Sequence, residues 1–464
     1  MRHLHIAELR GSWTSWLSVS LTFIVVNWVF AVTASCQAAM DGVALARPDD
    51  VMTNDAAIGL NYVISTMVGL LVIGTVTGLV IGSRRGSIAR LQLAGAAPRH
   101  VVGTLMVQLA VVSLVCAILG DLLALPCVQP VLDAHAANQG MEKIPAAAAP
   151  VSILMANLAC AAVAMLGGLR AALRATRIPP VEALRQSTAE SGKRKGTVGR
   201  VVWCGLIAGL VGLIFWATPK VRTMDDEKFA VQSVMQATFF LIPLLATFMA
   251  KASPITTGLL TRGWTKLVPG RSGTWHLARN TVLGKMDRLE RTVVPVMVTM
   301  CLLFSMMCLG QSFEATLEAM GEGGDMAGTD LPGLLLVLGA PLAISVAGGL
   351  SALLMMARQR TAELALDEIL GATPAQRVQV PVLEATIVTV TAFLQALVVT
   401  LVVAAFMRLA LPLVLPTFKV VLPTQTMVWV SLVIWLATTA CTVLPTLGSL
   451  RTPPPRVIAR LVAA

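Results

Sequence analysis

Ten runs of apolar residues, each of bilayer-spanning length, limit the folds open to this chain of 464 residues more than any other feature. They occupy residues 13–35, 60–81, 101–125, 151–169, 201–217, 231–250, 293–310, 331–356, 380–406 and 427–443. A helix of about 20 apolar residues crosses a hydrocarbon core roughly 30 Å thick. Inside lipid each backbone N–H and C=O must find its partner within the segment, so a run of this length folds as a helix. With 56% apolar and only 13% charged residues, ten such runs leave no water-soluble reading. The sequence predicts an all-α polytopic membrane protein with about ten transmembrane helices.

Charge gives the orientation. Of the 35 Lys and Arg residues, 28 fall in segments on the same side as both ends of the chain, and 7 fall in the opposite loops. Basic residues are retained on the cytoplasmic side, so both termini are expected to be cytoplasmic. The net charge of +11 then reflects topology and anionic membrane lipid, and it points to no nucleic-acid partner. The first run is long and lacks a small-residue cleavage site, so it reads as a span and not as a signal peptide. Most of the 8 cysteines lie inside spans as small apolar fillers. Cys36 and Cys127 fall at outer span ends, which leaves a disulfide between them open. No His or Cys spacing suits a metal, and no cofactor is expected.

The chain also repeats itself. Residues 84–98 align without a gap on residues 360–374 at an offset of 276, pairing Arg84 with Arg360, Gly95 with Gly371, Ala96 with Ala372 and Pro98 with Pro374. The same offset pairs Gln108 with Glu384. Each copy follows one apolar run and precedes another. A second pair of segments, 173–185 and 450–460, places Arg-x-Pro-Pro after a closing span in both halves. The repeat divides the chain into a four-span bundle (1–190), a basic linker with a two-span insert (191–270), and a second four-span bundle (271–464). No large extracytoplasmic domain is expected, since 37–61 and 311–332 are only loops.

These motifs resemble the FtsX-like (MacB-like) permeases of ABC transporters. Arg360, Glu363, Gly371 and Ala372 follow that family's first cytoplasmic loop. Arg174, Ala175, Arg177, Ile178, Pro180, Glu182, Ala183, Leu184 and Arg185 follow its closing motif. The ten-span, two-bundle layout looks most like the peptide-antibiotic transport permeases of Gram-positive bacteria. Ser87 stands where the family has Glu, and the second closing motif is reduced to Pro455-Arg456. The resemblance implies a multi-pass protein of the bacterial plasma membrane. It implies a non-catalytic subunit whose partners are cytosolic ABC ATPases, two per chain, with a sensor kinase as a further candidate. Consistent with a separate motor, Gly284-Lys285 lacks the upstream glycine and the hydroxyl of a phosphate-binding loop.

The expected ATPase-docking residues are Arg84, Arg85, Arg90, Gly95 and Arg99 in the first loop, with Arg360, Glu363, Asp367, Glu368 and Gly371 in the second. An ordinary positive-inside loop accounts for the arginines but not for the repeated Gly-Ala-x-Pro or the three acids. Gly74, Gly78 and Gly82 form a small-residue strip suited to helix contact. Among ionisable groups near the spans, Asp121 is a candidate contact for a cationic substrate and Glu384 reads as a structural polar group. Glu314, Glu318 and Glu322, with Asp41, Asp49, Asp50 and Asp55, make the outer face acidic and would favour a cationic amphipath. The function that the resemblance implies is export or membrane extraction of an amphipathic peptide, antibiotic or lipid, driven by partner ATPases. The alternative is a non-transporting mechanotransmitter that controls an envelope enzyme or sensor kinase. A secondary transporter fits worst, because the repeats share one orientation and the mid-membrane positions are nearly uncharged.

Overall fold

The computed structural model describes residues 2–46, 54–139, 143–147, 149–176, 197–223, 227–268, 270, 272–284, 286–320, 339–351, 371–413 and 417–449. Every regular element among them is helical. The first five helices are α1 (Arg2–Ala46), α2 (Asn54–Ser83), α3 (Arg85–Leu93), α4 (Pro98–Gln139) and α5 (Pro150–Thr176). They are followed by α6 (Thr197–Ala217), α7 (Glu227–Leu267), α8 (Gly273–Gly284) and α9 (Met286–Met320). A shorter apolar helix, α10 (Gly339–Ser351), precedes α11 (Pro374–Ala410) and α12 (Thr424–Ser449).

Among the described residues, 9 helices are long and apolar enough to cross a membrane, so the protein is a polytopic all-α membrane protein. The run at 331–356 is described only over α10. Several helices outlast their apolar runs. At about 1.5 Å per residue, the 42 residues of α4 extend well beyond a hydrocarbon core of roughly 30 Å. The excess is packed: Leu132 and Ala136 of α4 join Cys36, Ala39 and Met40 of α1 and Ile144 in one buried cluster, with Cys127 against it. Both cysteines carry free thiols. Gln129 holds the following loop here, donating from Nε2 to the Ile144 carbonyl at 3.1 Å and accepting from the Ala146 N–H at 3.0 Å.

The helices form two compact units, one of residues Met1–Lys195 with Met326–Ser351, the other of Gly196–Asp325 with Ala352–Ala464. In the first, α1 packs against α2, α4 and α5, and α5 also contacts α2 and α4. α10 belongs to this unit: Thr22 donates to Ser351 Oγ at 2.6 Å and to the Ala347 carbonyl at 3.3 Å, and Gly348 lies against Val72. In the second unit α11 touches α7, α8, α9 and α12. The span within α9 is 83% buried, against 11% for that of α6. α9 is therefore core, and α6 turns Trp203, Leu206, Leu210 and Leu213 outward. α7 meets α11 along a hydroxyl seam. Ser253, Thr257, Thr261 and Thr265 recur every fourth residue and are buried, which sets them on one helix face. Thr261 bonds Thr391 at 3.2 Å, and Gln395 Nε2 donates to Thr257 at 2.9 Å.

Candidate functional site: the loop after the second span

The first copy of the repeated loop is a built structure. α2 ends at Ser83, and Arg84 makes the turn, its N–H bonding the Ile81 carbonyl at 3.2 Å while its own carbonyl accepts from Ile88 at 2.9 Å. The Arg84 side chain points inward and is only 4% exposed. Its Nη1 donates to Gln108 Oε1 at 2.6 Å, and its guanidinium carbon lies 4.9 Å from the centre of the Trp16 ring. Gln108 is buried on α4. One arginine thus ties the end of α2 to both α4 and α1. A guanidinium so enclosed offers nothing to an outside partner, so Arg84 fixes the loop and does not form part of its outer surface.

The amphipathic helix α3 continues from this anchor. Ile88 is buried with Ile81, Val101, Val102, Leu105 and Ala172, while Leu91 and Ala96 pack against that cluster. Gln92 Nε2 reaches the Thr176 carbonyl at the end of α5, at 3.3 Å. α3 then closes through a left-handed glycine. Gly95 has φ +90°, its N–H bonds the Gln92 carbonyl at 3.0 Å, and the Ala96 N–H bonds the Leu91 carbonyl at 3.0 Å. This is the Schellman arrangement, which glycine enters without the Cβ clash of other residues. Buried on one side, the loop exposes Leu93, Ala94, Gly95, Ala97, Pro98, Arg99 and His100 on the other. Leu93 is 53% exposed, an apolar group on a loop that also exposes Arg99. Arg85 and Arg90 lie on α3.

The second copy is described from Gly371 onward. Gly371 also has φ +90°, and these two are the only positive-φ residues among those described. Pro98 and Pro374 each open the next long helix, where their missing N–H costs nothing. The copies differ in capping. Thr373 Oγ1 accepts from the Gln376 N–H at 3.3 Å, and Gln376 Oε1 accepts from the Thr373 N–H at 3.0 Å, a capping box. Ala97 holds that place in the first copy and supplies no side-chain cap. Arg360, Glu363, Asp367 and Glu368 lie outside the described residues. Glu384, the repeat partner of Gln108, is buried on α11.

Of the glycine strip, Gly74 meets a neighbouring helix: a Cβ on Gly167 of α5 would lie 3.7 Å from Gly74 Cα. A Cβ on Gly78 would meet nothing within 4 Å, and Gly82 falls in the last turn of α2. Among the described glycines, the tightest backbone approach is at one that no spacing pattern marks. A Cβ on Gly120 would sit 2.8 Å from both the Ile24 carbonyl oxygen and the Trp28 nitrogen. The next residue, Asp121, accepts from Asn157 Nδ2 at 2.8 Å across the α4–α5 contact. Glu314 and Glu318 lie in the closing turns of α9, and Glu322 lies outside the described residues. Among the described residues no three His, Cys, Asp or Glu side chains gather as a metal site.

The FtsX-like permease C-terminal family matches this chain twice, over residues 60–180 and 335–454. Each match begins near or within the span that leads into a repeated loop and runs past the closing span of its bundle. No curated protein and no solved structure matches the chain.

Proposed function

The chain belongs to the FtsX-like permease family, and we propose that, as an ABC transporter permease component, it couples ATP hydrolysis in separate partner subunits to export or membrane extraction of an amphipathic molecule. The observation that carries this reading is the duplicated loop. In both copies a left-handed glycine and a proline set the entry to a long helix, and in the first copy the loop's inner face is fastened to three helices at once. Force applied at the exposed tip would therefore move α1, α4 and α5 together.

The partner contact is assigned to the tip residues Leu93, Gly95 and Arg99, aided by Arg85 and Arg90. In the second copy it is assigned to Arg360, Glu363, Asp367, Glu368 and Gly371. Cargo would reach the protein laterally through lipid, as a cationic amphipath drawn by the acidic outer residues Glu314, Glu318 and Glu322. The protein would sit in the bacterial plasma membrane with both termini cytoplasmic.

The test is co-purification with the cognate P-loop ATPase. Leu93→Asp, Arg99→Glu and Glu363→Gln should each reduce bound ATPase or cargo-stimulated ATP hydrolysis while the permease remains folded in the membrane. Full assembly and unchanged hydrolysis in all three variants would refute the docking assignment.

A further inference from the structure

A second polar feature lies in the first unit, far from the Arg84–Arg99 loop. At 1.5 Å per residue, α4 climbs about 30 Å from Val101 to Asp121, and α5 covers a similar distance back from Asn157 to Thr176. At that level Asn157 Nδ2 donates to Asp121 Oδ2 at 2.8 Å. Gly120 brings α4 against α1 at the same height, where its Cβ would lie 2.9 Å from Asn27 Cβ. Asn27 commits its own Nδ2 to the Phe23 carbonyl at 2.7 Å.

Three acceptor oxygens are left over. Asp121 Oδ1, Asn157 Oδ1 and Asn27 Oδ1 are all buried, and none has a donor among the described residues. A buried acceptor without a donor is destabilising, and one that belongs to a carboxyl group within a membrane span is more so. Three at one level, one of them on a carboxyl group, are hard to explain as packing. Asp121 and Asn157 are themselves only half-buried. Near them in sequence, Ile118, Leu122 and Leu125 on α4 and Leu154 and Leu158 on α5 are exposed. The pair thus stands beside an exposed apolar surface of α4 and α5.

We propose that Asp121, Asn157 and Asn27 form a seat for the primary ammonium group of an amphipath. Such a group carries one positive charge and three N–H donors, matching one carboxylate and three acceptors. Its apolar tail would lie along the exposed leucines. A single bound proton could satisfy two of the oxygens at most. A quaternary ammonium has the charge but no donor. The amine could belong to a resident aminophospholipid or to a cationic cargo molecule. The seat deepens the cargo reading above and rests on it only for a role in transport.

The test uses the full chain in nanodiscs of equal phosphatidylethanolamine and phosphatidylcholine, with lipid retained after detergent extraction counted by mass spectrometry. The wild type should enrich the ethanolamine lipid about tenfold, as a charge-assisted hydrogen bond would give. Asp121→Asn and Asn157→Leu should return the ratio to that of the disc. In choline-only discs dodecylamine should bind and dodecyltrimethylammonium should not. Lipid enrichment that dodecylamine cannot displace assigns the seat to a resident lipid, and displacement assigns it to cargo; both support the seat. Equal retention of the two headgroups by the wild type, or enrichment untouched in Asp121→Asn, overturns it. So does an infrared band of a protonated carboxylic acid, lost in Asp121→Asn, without headgroup preference. The assay contains no ATPase, so its failure leaves the docking assignment standing.

Discussion

Arg84 and Arg99 belong to one loop, carry the same charge and sit in opposite environments. Arg84 is enclosed between Gln108 and Trp16, whereas Arg99 is exposed at the start of α4. Truncating Arg84 strands a buried amide, which costs about 1–3 kcal/mol; truncating Arg99 changes stability by about 0.5 kcal/mol or less. Arg84→Ala should therefore lower the melting temperature of the detergent-purified permease, while Arg99→Ala should leave melting unchanged and weaken ATPase binding. The reverse pattern would return Arg84 to the contact surface. The two left-handed glycines give a second contrast. Open space surrounds the Cβ position at Gly95 and Gly371, so a substituted alanine suffers only from backbone strain, about 1–2 kcal/mol for an L-residue at such φ. Gly95→Ala and Gly371→Ala should both depress ATP-coupled activity, measured in proteoliposomes, by loosening the loop exit. Wild-type coupling in both would show that the loop's conformation does not matter to its partner.

Among the described elements, nine spans were legible from sequence and their ends were not. An apolar run declares a membrane helix because its backbone bonds are all internal. The same run does not declare where the helix stops. α4 continues to Gln139 although Gln129, Asp133 and His135 dilute its hydropathy, because Leu132 and Ala136 find α1 to pack on. The loop site was legible through its duplication: Gly95 and Gly371 were marked by the repeat before their φ values distinguished them. The burial of Arg84 was not legible, since an arginine in a positive-inside loop reads as surface until Gln108 is brought opposite. Helix contacts divide in the same way. Gly74 belongs to a spacing pattern, but Gly120 has no patterned neighbour and yet makes the closer approach. Forcing a Cβ against the backbone of α1 must part the helices, and overpacking of this kind costs about 1–3 kcal/mol. Gly120→Ala should thus lower thermal stability clearly, and Gly78→Ala, with nothing within 4 Å of its Cβ position, should not. Equal melting of the two variants would contradict the α1–α4 contact.

At the scale of the whole molecule, we propose that duplication sets the stoichiometry. A permease with one coupling loop per chain needs two copies to engage a pair of ATPases. This chain carries two matches to its family, over 60–180 and 335–454, and each contains one repeated loop. On that proposal a single 48.9 kDa chain would supply both contact surfaces. Those surfaces are chemically unlike: besides the inward-pointing Arg84, the first loop has Arg85, Arg90 and Arg99 with no acid, while the second mixes Arg360 with Glu363, Asp367 and Glu368. Two identical ATPases would meet one purely basic and one mixed surface. Raising salt should release the subunit at the basic loop first, because exposed charge pairs are screened beyond about 8 Å at physiological ionic strength. Native mass spectrometry of the complex should show one permease with two ATPases at low salt and one with one as salt rises. Leu93→Asp should leave the 1:1 species already at low salt. Two permease chains per ATPase pair, or loss of both ATPases at a single salt concentration, would mean that the two loops do not act as separate docking points.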